Sequence, residues 1–140
     1  MHATFWYLVL SCVFLQTLST EIPKHFEDER YAECAKEVKI DKSVLEHLLD
    51  ENYYIVNQDP LVPAYFECVF KKMSFIKDGK FDKDVIVKYL EEKVVPFLKP
   101  NDKNPGKTAT DAFETCSTLE DEDLGKRIVK YSNCITKELK

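Results

Sequence analysis

The stretch PLVPAYFECVFKKM at residues 60–73 has the pattern of a buried helix that follows a break in the chain. Pro60 interrupts the preceding segment, and Pro63 suits the first residue of a helix because its missing N–H would have no helical partner there. From Tyr65 to Met73 the apolar side chains fall on most sides of a helix, which is typical of an element packed between others. We therefore predict a third helix that begins at Pro63 and forms the centre of the domain.

Two helices are predicted before this central one. The first has apolar side chains at the i, i+3, i+4 and i+7 positions of one helical face, namely Tyr31, Cys34, Ala35 and Val38. Ser43, with Glu46 three residues later, forms a capping-box pattern and predicts where the second helix begins. The apolar residues that this second helix would bury are Val44, Leu45, Leu48 and Leu49.

The chain after the central helix begins with a turn. Asp78-Gly79 is a turn dipeptide, and a fourth amphipathic helix is predicted from about Asp82 until Pro96 kinks or ends it. The segment PNDKNPG at residues 100–106 is rich in turn-forming residues and is predicted to be a loop.

Two more helices complete the domain. The pairs Thr108 with Asp111 and Thr118 with Asp121 have the spacing of helix caps, and predict the N-termini of a fifth and a sixth helix. No stretch of the sequence alternates apolar and polar residues with the period of two that marks a strand. Six short amphipathic helices predict an all-α domain.

The N-terminal segment differs in composition from the rest of the chain. Residues 1–20 contain no Lys, Arg, Asp or Glu, and the apolar run from Phe5 to Leu18 is shorter than the roughly 20 residues that a membrane-spanning helix needs. We predict that residues 1–20 are a signal peptide, cleaved near Ser19 or Thr20, and that residues 21–140 form one secreted, soluble domain. The alternative is a buried N-terminal helix.

Removal of residues 1–20 would leave four cysteines, namely Cys34, Cys68, Cys116 and Cys134. An even number of cysteines in a small secreted chain indicates a disulfide framework, and four cysteines allow three pairings. The formal net charge is −5 and no basic stripe is present. This balance disfavours nucleic acid and anionic membrane surfaces as partners.

Motifs for catalysis or metal binding are missing from the sequence. There is no C-x-x-C pair for zinc, no G-x-S-x-G and no glycine-rich phosphate loop. With Gly79 as the sixth position of a calcium loop, Ser74 and Val85 would stand where carboxylates are needed. His25 and His47 have no metal-ligand spacing. We predict no enzymatic activity, no cofactor and no metal.

The cysteine spacing resembles that of the insect odorant-binding proteins with one bridge deleted. Members of that family have six helices and six cysteines, the second and third separated by three residues and the fifth and sixth by eight. Here Ala64 stands four residues before Cys68, and Gly125 stands nine before Cys134. The family pairs those two missing cysteines with each other, so their joint absence is what the loss of one bridge would leave. The same alignment predicts that Ala64 and Gly125 lie side by side.

The segment KKMSFIKDGKFD at residues 71–82 also resembles the family, whereas the gap between Cys68 and Cys116 is longer than usual. The resemblance implies the bridges Cys34–Cys68 and Cys116–Cys134 in a compact six-helix domain around an apolar cavity. It further implies a carrier of small hydrophobic ligands, with a membrane odorant receptor as a further partner. We expect a monomer or a weak homodimer.

Candidates for the cavity lining are apolar and aromatic residues, mostly on the third, fourth and sixth helices: Tyr54, Val69, Met73, Tyr89, Leu90, Phe97, Ile128, Tyr131 and Ile135. Tyr54, Tyr89 and Tyr131 are the candidate polar anchors, because a phenol can offer one hydrogen bond from an apolar wall. The alternative for each candidate is an ordinary core or surface side chain. The alternative for the whole chain is a secreted helical signalling protein, which would have an exposed apolar patch instead of a cavity.

Overall fold

The computed structural model describes residues 28–140, so the predicted signal peptide lies outside the described residues. Within this range the elements are α1 (Glu29–Val38), α2 (Lys42–Glu46), α3 (Leu61–Lys72), β1 (Ile76–Lys77), β2 (Lys80–Phe81), α4 (Lys83–Tyr89), a π-helical turn (Leu90–Val94), α5 (Val95–Leu98), α6 (Pro105–Cys116) and α7 (Leu124–Glu138). The chain is therefore all-α apart from one two-stranded hairpin, and the predicted fold class is confirmed.

Side-chain caps mark the N-termini of four helices. Asp28, Asp82, Asn104 and Asp123 each accept a hydrogen bond from a backbone N–H in the first turn of α1, α4, α6 and α7, respectively. Such a cap satisfies one of the N–H groups that a helix start leaves unpaired. The predicted start of the fourth helix at Asp82 is confirmed.

The second and third helices begin at other residues than predicted. α2 has five residues and begins at Lys42, and no side chain caps it, so the capping box at Ser43 was wrong. α3 begins at Leu61, which makes Pro63 its third residue rather than its first. The missing N–H of Pro63 still costs no helical hydrogen bond, because the N–H groups of the first turn have no partner within the helix.

The fifth and sixth helices also begin elsewhere. α6 starts at Pro105, inside the segment predicted to be a loop, and the Thr108 hydroxyl donates to Asp102 at 2.7 Å instead of capping the helix. Proline at the first helical position explains this start, because its fixed φ suits the helix. The Thr118 hydroxyl donates to the Thr115 carbonyl oxygen, and α7 begins only after Asp123.

The helix that starts at Lys83 changes its hydrogen-bonding register before it ends. α4, the π-helical turn and α5 form one continuous rod, and within the turn the Val95 N–H donates to the Leu90 carbonyl oxygen, five residues back. Pro96 follows directly and has no N–H to donate to Glu92. The predicted kink or end at Pro96 is thus a π-helical turn that precedes it.

Two disulfide bonds tie the helices together. Cys34–Cys68 joins α1 to α3 with a Cα–Cα distance of 5.7 Å, and Cys116–Cys134 joins α6 to α7 at 5.6 Å. This is the pairing that the family resemblance implies. Sequence separations of 34 and 18 residues correspond to about 3–4 kcal/mol each in the chain-entropy account of disulfide stabilisation.

The hairpin places an aromatic ring beside α7. Ile76 pairs with Phe81 and Lys77 with Lys80, while Asp78 and Gly79 have φ values of 52° and 74°. Two successive residues of positive φ are what a type I′ turn requires. The turn was predicted from the sequence, but strands of two residues are too short to show alternation.

The buried apolar residues form two clusters. The α1–α3 core consists of Cys34, Ile40, Leu48, Ile55, Val62, Tyr65 and Val69. The aromatic core consists of Phe75, Ile86, Leu90, Val95, Ala109, Ala112, Phe113, Cys116, Tyr131, Ile135 and Leu139. Met73, next to the end of α3, packs against both clusters.

α3 and α7 are in close contact at a glycine. A β-carbon on Gly125 would lie 2.5 Å from the Pro63 carbonyl oxygen and 2.9 Å from the Pro63 β-carbon, so only glycine fits without a shift of the backbone. The two helices are neighbours, as the alignment predicted. Gly125 nevertheless packs on Pro63 rather than on Ala64, whose side chain is exposed.

Candidate ligand-binding site

Tyr131 lies at the centre of a group of aromatic rings. Its ring centroid is 4.6 Å from that of Phe81, 6.2 Å from Phe113 and 6.3 Å from Phe70. The Phe70 and Phe113 rings meet it at 84° and 67°, the edge-to-face geometry that aromatic pairs favour. Helices α3, α6 and α7 and the hairpin thus each contribute one ring to this group.

The Tyr131 hydroxyl has no hydrogen-bond partner in the described part of the chain, although the residue is only 3% exposed. Burial raises the pKa of Tyr131 well above its ordinary value, so the phenol stays protonated at physiological pH. Buried hydroxyls are usually paired, and an unpaired one costs about 1–3 kcal/mol. An oxygen that arrived with a ligand would satisfy this donor.

Arg127 lies one turn before Tyr131 on α7. Its guanidinium carbon is 4.7 Å from the centroid of the Phe81 ring, a cation–π contact. Its Nε is buried and has no hydrogen-bond partner among residues 28–140. Among the described residues, Arg127 forms no ion pair.

Tyr89 differs from Tyr131 because its hydroxyl has a hydrogen-bond partner. It hydrogen-bonds with the Tyr31 hydroxyl on α1, and burial followed by this neighbour raises the pKa of Tyr89 strongly. The Tyr89 ring packs on Phe75 with centroids 5.1 Å apart. Tyr89 therefore links α1 to the aromatic core.

Tyr54 and Phe97 lie outside both cores as the described residues define them. The Lys140 ammonium lies 4.8 Å from the centroid of the Tyr54 ring. The Phe97 ring meets Tyr53 edge-on at 5.1 Å. Tyr53 itself has a φ of 67°, which turns the chain at this point.

The remaining candidates fall into three places. Leu90, Tyr131 and Ile135 belong to the aromatic core, with Met73 and Tyr89 packed against it. Val69 belongs to the α1–α3 core. Ile128 is completely buried on α7. The structure therefore places five of the nine candidates in the aromatic core or packed against it.

The candidate set lacked Phe75 and Phe113 of the aromatic core, Phe70 and Phe81, which pack against it, and Arg127, which stacks on Phe81. The apolar pattern of a helix predicts which face is buried, but it does not indicate which of the two clusters that face joins. A charged residue such as Arg127 is ordinarily solvent-exposed, and nothing local to it in the sequence indicates the stacking on Phe81.

The folded helices, the two disulfides and the apolar interior define a small disulfide-bridged helical domain. The chain belongs to the PBP/GOBP family, the insect pheromone- and odorant-binding proteins, whose family model matches residues 16–138. The resemblance drawn from the cysteine spacing is confirmed at the level of the family. Neither a curated protein nor a solved structure matches the chain.

Two further structural findings concern residues 28–140. No helix in this range is both long and apolar enough to cross a membrane. The same range contains no group of three or more His, Cys, Asp or Glu side chains arranged to hold a metal ion.

Proposed function

We propose that this chain is a secreted carrier that binds small hydrophobic molecules, such as odorants or pheromones, in its interior and transports them. Membership in the PBP/GOBP family supports the proposal. The structural observation that carries it is buried Tyr131, whose ring lies among other aromatic rings and whose hydroxyl has no hydrogen-bond partner within residues 28–140. Ligand sites combine such an apolar, aromatic lining with a few polar groups that fix the ligand's orientation.

The disulfides support an interior site as well. A cavity costs stability because the atoms around it lose packing contacts. The bonds Cys34–Cys68 and Cys116–Cys134 offset this cost by restricting the unfolded chain. They also favour secretion, because disulfides persist in oxidising compartments. A membrane odorant receptor as partner, a monomer or weak homodimer, and action by binding alone belong to the same proposal.

Surface composition favours a carrier over a signalling protein. The large apolar side chains exposed on the described residues are Val56 at 47% and Leu61 at 39%. A signalling protein whose function rests entirely on an apolar contact with its receptor would need a larger contiguous apolar patch.

The test is binding of the apolar fluorescent dye N-phenyl-1-naphthylamine to residues 21–140. Trp6 is the sole tryptophan of the chain, so this segment has no tryptophan emission to interfere with or to report binding. We expect a Kd on the order of micromolar, or about −8 kcal/mol, and displacement by medium-chain aldehydes, esters or terpenoids.

The matched control is the double variant Val56→Ser, Leu61→Ser, which removes the exposed apolar side chains. Dye affinity should stay at the wild-type value because the proposed site is interior. Loss of dye binding in this variant, or no binding of dye and competitors to the wild type, would refute the carrier function.

A further inference from the structure

Two buried hydrogen-bond donors adjoin the ring of Phe81. The Tyr131 ring lies 4.6 Å from the Phe81 centroid at an interplanar angle of 32°, and the Arg127 guanidinium carbon lies 4.7 Å from it. The Tyr131 hydroxyl and Arg127 Nε are the buried side-chain polar atoms without a partner in the described part of the chain. Both residues lie on consecutive turns of α7, so one helix packs both side chains against the same ring.

The chemistry of this pair is one-sided. A guanidinium N–H can only donate, and the protonated phenol of Tyr131 carries an O–H donor. Because burial keeps the pKa of Tyr131 high, this hydroxyl does not ionise to become an anionic acceptor for Arg127. The surrounding rings of Phe70, Phe81 and Phe113 supply no oxygen. Among the described residues, neither the Nε–H of Arg127 nor the O–H of Tyr131 therefore has an acceptor.

We propose that the ligand is an apolar molecule that ends in a hydrogen-bond-accepting oxygen, and that Tyr131 and Arg127 select for that oxygen. The proposal rests on the carrier function and names its ligand class: esters, aldehydes, ketones or carboxylates with an apolar chain. The Tyr131 hydroxyl donates to the ligand oxygen, and the Arg127 guanidinium adds positive charge next to it. A hydrocarbon leaves both donors unpaired and is bound more weakly.

The first test is the variant Tyr131→Phe, which keeps the ring and removes only the oxygen. Affinities for methyl decanoate, decanoic acid and decane are measured by displacement of N-phenyl-1-naphthylamine. We expect an about tenfold loss for the ester, the equivalent of one hydrogen bond, and no loss for decane. The control Tyr65→Phe changes a buried tyrosine of the α1–α3 core and should alter neither affinity.

The thermal stability of Tyr131→Phe provides a further test of the proposal. Removal of an unpaired buried hydroxyl should leave the ligand-free protein as stable as the wild type or more stable, whereas removal of a paired one should destabilise it. The comparison variant is Tyr89→Phe, because the Tyr89 hydroxyl is paired with Tyr31. A lower Tm for Tyr131→Phe than for the wild type would show a structural hydrogen bond instead and overturn the proposal.

The second test addresses Arg127. Arg127→Met keeps an apolar stem over Phe81 and removes the charge, and Lys126→Met removes one charge from the exposed neighbouring position. We expect decanoic acid to lose about tenfold or more in affinity with Arg127→Met and to keep its affinity with Lys126→Met. Tighter binding of acid than of ester by the wild type identifies a carboxylate as the head group, and the reverse order identifies a neutral carbonyl.

The proposed ligand class and the proposed carrier function can be refuted separately. If wild-type protein binds the dye but the ratio of ester to decane affinity is the same in Tyr131→Phe, the ligand class is wrong and the carrier function stands. If the acid keeps its affinity in Arg127→Met, Arg127 has no part in selection. If the wild type binds no dye, the carrier function itself is wrong.

Discussion

The Asn133 side-chain amide pairs with both backbone groups of Ile55, 78 residues earlier in the chain. Its Oδ1 accepts from the Ile55 N–H at 2.8 Å, and its Nδ2 donates to the Ile55 carbonyl oxygen at 3.1 Å. Ile55 also forms the isolated β-bridge with Leu49. The amide thus forms the same pair of hydrogen bonds with Ile55 that a neighbouring strand would form. These bonds attach the segment from 49 to 55 to α7, the helix that carries Tyr131.

We expect Asn133→Ala to lower the free energy of unfolding by about 1–3 kcal/mol, because it leaves the Ile55 N–H and carbonyl half-buried without partners. Urea denaturation measures the loss, and amide hydrogen exchange at Ile55 should accelerate. Ser132→Ala, at the preceding position, is the control and should change stability little. An Asn133→Ala protein with wild-type stability and unchanged exchange at Ile55 would show that the pairing contributes nothing.

A pair of glycine substitutions tests the contact between α3 and α7. Gly125→Ala should destabilise the fold by about 1–3 kcal/mol, because its β-carbon would lie 2.5 Å from the rigid Pro63 carbonyl oxygen. Gly106→Ala is the matched helical control, since its β-carbon would meet only the flexible end of the Glu91 side chain at 3.1 Å. Alanine's higher helix propensity then makes that change neutral or stabilising. Equal midpoints of thermal unfolding for the two variants would contradict the close contact.

The same contact bears on an engineered third disulfide. The double substitution Ala64→Cys, Gly125→Cys would place cysteines where other family members have their third bridge and this chain has none. A cysteine at position 125 places its β-carbon against Pro63, so we expect poor oxidation and lower stability rather than the usual gain of about 2–4 kcal/mol. Thiol titration of the folded variant measures the outcome, and complete, stabilising bridge formation would show that α3 and α7 separate readily.

Binding of a neutral ligand should change less than tenfold between pH 7 and pH 5. Burial raises the pKa of Tyr131, so its hydroxyl remains a donor across this window. The Asp28 carboxylate accepts from Arg30, which lowers the pKa of Asp28 from 3.8 to about 2. A lowered pKa contributes stability above 3.8 that is lost only as the pH falls towards 2, below the window. A steeper change in methyl decanoate affinity would reveal a titrating group at the site.

The disulfide pairing is tested by peptide mapping of the non-reduced protein. Fragments that contain Cys34 with Cys68 and Cys116 with Cys134 are expected. The double variant Cys116→Ser, Cys134→Ser should lose about 3 kcal/mol of stability, because its bridge closes a loop with a sequence separation of 18. A fragment that links Cys34 to Cys116 would contradict the fold.

Local chemistry made some elements predictable. The apolar pattern around Tyr65 identified the central helix, and Asp78-Gly79 identified the turn, because both signals depend only on neighbouring residues. The start of α6 was missed because Asn104 and Thr108 can both cap a helix, and their spacing does not rank them. Leu48 fits a helical stripe, yet it lies beyond the end of α2, where the bridge between Leu49 and Ile55 sets the structure.

The candidate site depended on contacts distant in sequence. Tyr131 was found because an aromatic residue on a regular apolar stripe predicts burial. Its missing hydrogen bond could not be predicted, since it depends on which side chains from other elements surround it. Arg127 was missed for the same reason, because its position is set by stacking on Phe81 in the hairpin.

In the rod from Lys83 to Leu98, the π-helical turn changes the direction in which the side chains after it point, relative to an uninterrupted α-helix. An α-helix advances about 100° per residue, so residues five apart would point in well-separated directions, about 140° from each other. Leu90 and Val95 are five apart and both are buried in the aromatic core, because the wider turn returns them to the same side. Deletion of a single residue between them would leave the two four apart, about 40° from each other in an α-helix, so both would still face the aromatic core. The extra residue of the π-helical turn can therefore be lost without rotating the segment beyond it, whereas a deletion elsewhere in the rod would turn that segment by about 100°.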